Sequence, residues 1–172
     1  MSMSLPRVNA LTRERVAREL DDRGPDVCLT EVVHELQASN PEVLDMAMRC
    51  ARDVGDFPRV MTGFCTFYRL LSDEARTAAG ASRESADARS IGLLPRVSAT
   101  TREAIVRRID AIGPDEFTRQ AIAELERDNP ELLLMSHNFA EDQKDYIGVM
   151  QGFALIYASL LEESRRERGP LH

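Results

Sequence analysis

Histidine, carboxylate and phenol side chains gather at positions 136–146 of this chain of 172 residues. His137 and Glu141 are four residues apart, so on a helix they share one face and could supply two metal ligands. Asp142 and Tyr146 follow directly. Two ligands are too few for a metal site, and the paired E-x-x-H motifs of diiron bundles are not present. We therefore expect a solvated helix end here, no metal, and a surface that could bind a ligand or a partner.

Motifs that identify common enzymes are missing from the sequence. We find no Walker loop, no G-x-G-x-x-G, no G-x-S-x-G and no paired zinc motif. The three cysteines, Cys28, Cys50 and Cys65, form no C-x-x-C pair, and apolar residues occupy the corresponding positions of the repeat described below. They are typical of small buried hydrophobic residues. The sequence therefore predicts no catalytic residue and no cofactor, and leaves enzymatic activity open with a non-enzymatic protein favoured.

Charge and hydropathy exclude two classes of partner. The net charge is −7 and no block of basic residues occurs, which argues against nucleic-acid binding. The longest mainly apolar run, residues 147–161, is too short to cross a bilayer, so we expect no membrane insertion. The first residues have neither the charged region nor the apolar region of a signal peptide, which predicts a cytoplasmic protein.

The elements that position these residues occur twice. The pattern Val-Met-x-Gly-Phe-x-x-x-Tyr is found at 60–68 and again at 149–157, an offset of about 89 residues. At the same offset Leu-Pro-Arg-Val, Gly-Pro-Asp and Asn-Pro-Glu each recur in register. Shared composition does not place four motifs at one spacing, so we interpret the sequence as a tandem duplication. The expected organisation is a first repeat at 1–78, a linker at 79–93 and a second repeat at 94–172, with one shared core.

Each repeat contains the signals of four helices. Gly24-Pro25 ends the first helix, which we expect at about 12–23, and Asp26 is predicted to cap the second. Asn40-Pro41 begins the third helix, with Asn40 as its cap and proline at the first helical position. The predicted fold is all-α, with about eight helices in a pseudo-two-fold bundle. A short HEAT-like solenoid is the alternative, since helix pairs of about 40 residues fit that repeat length.

The fourth helix of each repeat is apolar on more than one face, which predicts that it is buried among the others. Its repeated core consists of Met61, Gly63, Phe64, Met150, Gly152 and Phe153. A mid-helix glycine costs about 1 kcal/mol relative to alanine, so its presence in both copies suggests a close helix crossing. We expect the two fourth helices to cross at these glycines, or each to cross a neighbour in its own repeat.

Two functional hypotheses follow from the sequence. The first is a non-enzymatic helical scaffold that binds a protein partner or self-associates, with its surface around His137, Glu141, Asp142 and Tyr146. The alternative is a protein that binds a small molecule or a metal between the repeats. That site would be a cavity near His137 and the repeated residues Met61, Tyr68, Met150 and Tyr157.

Overall fold

The computed structural model describes residues 5–78 and 94–168, and within these ranges the chain forms eight α-helices and no strand. The all-α helical bundle is therefore confirmed. The expected linker at 79–93 lies outside the described residues, as do residues 1–4 and 169–172. We call residues 5–78 the first half and residues 94–168 the second half. The helices are α1 (Ala10–Arg23), α2 (Pro25–Ser39), α3 (Pro41–Val54), α4 (Phe57–Ala78), α5 (Ala99–Ile112), α6 (Pro114–Asp128), α7 (Pro130–Glu141) and α8 (Tyr146–Arg168).

A single glycine makes the turn between α1 and α2. Gly24 has φ of 93°, a backbone conformation that L side chains rarely adopt, and Pro25 is the first residue of α2. The prediction that Asp26 caps α2 was wrong, because Gly24 occupies the cap position and Asp26 lies in the first helical turn. There its carboxylate still faces the positive end of the helix dipole.

The side chain of Asn40 does not cap α3, contrary to the sequence prediction. Its Nδ2 donates to the carbonyl of Pro95 at 2.8 Å, and its Oδ1 accepts from the backbone N–H of Val97 at 2.9 Å. Both groups belong to residues 94–98, the extended segment before α5, which we call the second arm. An asparagine of the first half thus fixes the entry to the second half.

The reciprocal contact is also present. Asn129 donates from Nδ2 to the carbonyl of Pro6 at 2.8 Å and accepts at Oδ1 from the N–H of Val8 at 2.8 Å. These residues belong to the first arm, residues 5–9, in which Leu5 and Val8 are buried in the core. Each half therefore holds the arm of the other half.

Ion pairs repeat this exchange between the halves. Arg13 of α1 binds Glu131 of α7 with Nε and Oε1 2.7 Å apart, and Arg102 of α5 binds Glu42 of α3 with Nη1 and Oε1 2.7 Å apart. Both glutamates lie in the first turn of their helix. The structure thus makes the glutamate of each Asn-Pro-Glu motif a contact between the halves.

The centre of the bundle is the contact between α4 and α8. The Phe153 ring lies edge-on to Phe64 and stacked against Phe67, with both pairs of centroids 5.1 Å apart. Met61 and Met150 are 3% and 4% exposed beside them. In addition, α3 packs along α8, and α4 packs on α7 as well as on α8. Helices that are distant in sequence therefore meet, which is the packing of a bundle, whereas an open solenoid joins only adjacent repeats.

Both mid-helix glycines are buried at close contacts. A Cβ added to Gly152 would lie 2.3 Å from the ring of Phe64, so α8 approaches α4 at this point, as one of the two expectations stated. A Cβ added to Gly63 would lie 2.4 Å from the ring of Phe139 on α7. That second contact joins α4 to the third helix of the opposite half and was not among the expected crossings.

Candidate functional site

The structure brings together three of the four polar residues singled out near the end of α7. Nδ1 of His137 lies 2.7 Å from the hydroxyl of Tyr146, and its Nε2 lies 3.0 Å from Oε2 of Glu141. The His137 and Tyr146 rings meet edge to face with centroids 5.5 Å apart. Asp142 does not join them; it is exposed and forms the C-cap of α7.

The chain of contacts from Glu141 through His137 to Tyr146 defines which imidazole nitrogen carries the proton. A carboxylate only accepts, so Nε2–H of a neutral His137 donates to Glu141, and Nδ1 is left to accept from the Tyr146 hydroxyl. The side chains of His137 and Glu141 are 44% and 58% exposed, so this chain of contacts is open to water. No three histidine, cysteine, aspartate or glutamate side chains converge on a metal-sized site in residues 5–78 and 94–168. The arrangement joins the end of α7 to the start of α8.

The two repeated tyrosines are core residues. Tyr68 and Tyr157 are 3% and 1% exposed, and burial raises the pKa of both phenols. The Tyr68 hydroxyl accepts from Nδ2 of Asn40 at 3.3 Å, and Asn129 is a polar neighbour of Tyr157. Both phenols thus lie in the core beside the asparagines that hold the arms, whereas the His137 side chain is partly exposed. The cavities described below are lined by other residues.

A cavity of about 290 Å³ lies between α3 of the first half and helices α5, α6 and α8 of the second half. We call it the inter-half pocket. Its apolar wall is formed by Val54, Ile109, Pro114, Phe117 and Leu155. Its polar lining consists of Cys50, Asp53, Thr118, Asp145, Gly148 and Gln151.

Helix α3 contributes to the inter-half pocket because α8 carries a glycine where α3 ends. A Cβ added to Gly148 would lie 2.6 Å from Cγ1 of Val54 and 2.4 Å from Oδ2 of Asp145. Without that Cβ, the end of α3 and the Asp145 carboxylate both lie against α8. Oδ1 of Asp145 accepts from the backbone N–H of Gly148 at 2.9 Å, which caps α8 and fixes the carboxylate in place.

The polar part of the inter-half pocket is negative. It contains the carboxylates of Asp53 and Asp145, and none of its lining residues is arginine, lysine or histidine. Burial, followed by the negative charge of Asp53, raises the pKa of the Cys50 thiol to about 11. Cys50 is therefore a protonated thiol near neutral pH and not a nucleophile.

A wider groove of about 510 Å³ adjoins the inter-half pocket and shares Val54 and Asp145 with it. It runs between the α3–α4 turn and the α7–α8 turn and carries both signs of charge. Arg59 and Lys144 lie in it with Asp56, Asp142 and Asp145. Nε of Arg59 lies 3.7 Å from Oδ2 of Asp56, so part of this charge is already paired.

The corresponding corner of the first half is closed. Helices α1, α2 and α4 line it, and six of its eleven residues stand at the 89-residue offset from residues of the inter-half pocket, yet its volume is only about 10 Å³. Arg69 reaches into it and binds Glu19 with Nη2 and Oε1 2.5 Å apart, while its Nε lies 3.4 Å from Asp73. In the second half Ala158, at the offset of Arg69, is buried and does not line the inter-half pocket.

Sequence reasoning did not find the inter-half pocket. It interpreted Cys50 as a small buried hydrophobic residue and singled out none of Asp53, Asp145 and Gln151 as a site residue. The usable signal was the set of offset pairs in which one half differs from the other, such as Leu29 and Thr118. That signal does not reveal the contribution of α3, which depends on packing between distant helices.

None of the helices in the described ranges combines the length and apolar character needed to cross a bilayer. No protein family, curated protein or solved structure matches this chain.

Proposed function

We propose that the protein binds a small organic molecule in the inter-half pocket. The observation that supports this function is a cavity of about 290 Å³ with an apolar wall on one side and carboxylate, amide and hydroxyl groups on the other. This volume is close to the lower end of ligand sites, which are typically about 300–1,000 Å³ and mainly apolar with a few placed polar groups. The location agrees with the expectation of a site between the two halves, although different residues line it.

The chemistry of the lining favours reversible binding over catalysis. Cys50 is the strongest potential nucleophile in the pocket, and its raised pKa keeps it protonated. No histidine lines the pocket, and neither Asp53 nor Asp145 is hydrogen-bonded to the Cys50 thiol or to the Thr118 hydroxyl, so neither group is activated as a nucleophile. The ligand is therefore held by apolar contact with Phe117 and Leu155 and oriented by the polar groups.

The test begins with native mass spectrometry of the protein as purified, because a retained ligand adds mass to the chain. The pocket is then probed by titrating ¹⁵N-labelled protein with n-hexanol and following the side-chain amide of Gln151. Thr118→Phe places a ring in the pocket and should abolish the shifts. Thr30→Phe, the same substitution on the exposed face of α2, should leave them intact. Hexanol binding that survives Thr118→Phe, or no binding at all, would refute the proposal.

A second candidate function, a scaffold that self-associates or binds a protein, is favoured by the surface beside the His137 contacts. Ile147, next to Tyr146, is 65% exposed, and Leu134, one turn before His137 on α7, is 43% exposed. Sedimentation equilibrium tests the self-association form. Self-association through this surface predicts a dimer that Ile147→Ser weakens. An unsubstituted protein that is monomeric at every concentration would exclude self-association. Charge reversal at Glu141 and Asp142 that leaves every partner bound would exclude this location for a hetero-partner.

We also propose that the two halves are tandem copies related by a pseudo-two-fold axis. Support comes from contacts that recur at the same offset, namely the two asparagine–arm contacts and the two ion pairs between halves. Ion pairs within the halves recur as well, since Glu35 binds Arg76 and Glu124 binds Arg165, both with nitrogen and oxygen within 3.1 Å.

A further inference from the structure

We propose that the ligand of the inter-half pocket is an organic cation: a small primary amine whose ammonium group lies at Asp53 and Asp145 and whose apolar body lies on Phe117 and Leu155. This inference rests on the proposed function and specifies the chemical class of the ligand. It follows from the charges of the residues that line the pocket and from the hydrogen-bonding capacity that both carboxylates keep.

The polar lining of the inter-half pocket is negatively charged. Two carboxylates face the pocket and no cationic side chain lines it. Two cations close to the lining lie outside it: Lys144 lines the adjoining groove, and the guanidinium of Arg108 lies over the Phe117 ring, 5.1 Å from its centroid. An anionic ligand would meet two carboxylates at short range, whereas a cation is attracted by both.

Both carboxylates can still accept hydrogen bonds from a ligand. Within the described ranges Asp53 makes no ion pair and no side-chain hydrogen bond. Asp145 is held by the N–H of Gly148 and makes no ion pair there, so its second oxygen can accept from a ligand. The charge of Asp53 also reaches the pocket wall, since after burial it is the remaining cause of the raised pKa of Cys50.

The experiment compares three probes that have the same alkyl chain and different charge: n-hexylamine, n-hexanol and n-hexanoate. Each is titrated into the full-length protein at neutral pH, with the Gln151 amide as the readout. We expect hexylamine to bind more tightly than hexanol, and hexanoate more weakly than either. Asp53→Asn and Asp145→Asn should each weaken hexylamine by about two- to five-fold, the range for a solvent-accessible ion pair, and leave hexanol unchanged. Asparagine at 145 also preserves a side-chain cap for α8.

The matched controls are Asp142→Asn and Asp56→Asn, which lie at the 89-residue offset from Asp53 and Asp145 and line only the adjoining groove. They should leave hexylamine affinity unchanged. Hexanol binding as tightly as hexylamine, or equal loss of hexylamine affinity in the control variants, would overturn the cation assignment while leaving a small-molecule pocket in place. Failure of all three probes would overturn the proposed function together with this inference.

Discussion

Replacing Asn129 with alanine should destabilise the protein by about 1.5–4.5 kcal/mol. The substitution leaves the N–H of Val8, which is 1% exposed, without its acceptor, and a stranded buried donor costs about 1–3 kcal/mol. It also removes the bond to the Pro6 carbonyl, which is partly buried and can turn to water, at a net cost of about 0.5–1.5 kcal/mol. The two contributions add because each concerns a different backbone group.

Urea unfolding measures the total, and amide hydrogen exchange at Val8 locates the change. Asn129→Asp keeps an oxygen that accepts from Val8 but loses the donor to Pro6, so it should also be destabilising. Asn138→Ala, on the exposed surface of α7, is the control and should change stability by less than about 0.5 kcal/mol. If Asn129→Ala stays within that same limit and the Val8 amide keeps its protection, the reasoning about the arm is refuted.

Three further predictions concern the core and the ionisable groups. Gly152→Ala should lower the free energy of unfolding by about 1–2 kcal/mol. The cost of packing the new Cβ against the buried Phe64 ring exceeds the gain of about 1 kcal/mol in helix propensity. A variant that is more stable in urea would contradict this. Burial raises the thiol pKa values of Cys50 and Cys65 to about 11 and about 12. Both cysteines should therefore react slowly with iodoacetamide near pH 8 until urea is added. Fast labelling of the native protein would contradict this prediction. Although burial opposes its ionisation, two arginine partners hold the pKa of Glu19 below its usual value. The stabilisation that Glu19 provides is therefore present above its unfolded-state pKa and is lost as the pH falls through its folded-state pKa. Glu19→Gln should flatten the acid side of a plot of melting temperature against pH, and an unchanged acid side would count against the pairing.

Local signals in the sequence determined the helices. Gly24-Pro25 and Asn40-Pro41 combine a residue that ends a helix with one that begins the next, so the boundaries followed from backbone chemistry within a few residues. The failures were roles of side chains that depend on distant partners. Asn40 has the right position for a cap, but its amide reaches Pro95 and Val97 instead, and nothing near it in sequence indicates that.

In the candidate site as well, local contacts followed from the sequence and contacts between distant helices did not. The contact of His137 with Glu141 follows from helical periodicity, and the structure adds Tyr146 across the turn. The inter-half pocket could not be derived in this way. Its position depends on Gly148 allowing the end of α3 to approach α8, and such a contact between distant helices leaves no periodic pattern in the sequence.

The exchange of arms has a consequence for synthesis. Val8 and Arg13 find their partners at Asn129 and Glu131, so the beginning of the chain completes its packing only after residue 131 has been made. In most proteins with two similar parts, the N-terminal part can fold while the rest is being translated. Here, in the newly made first half, the second half does not yet cover Leu5 and Val8, and α8 does not yet cover the aromatic face of α4. A chain that ends before residue 129 therefore lacks the partners of Val8 and Arg13 and exposes apolar surface that the bundle normally buries.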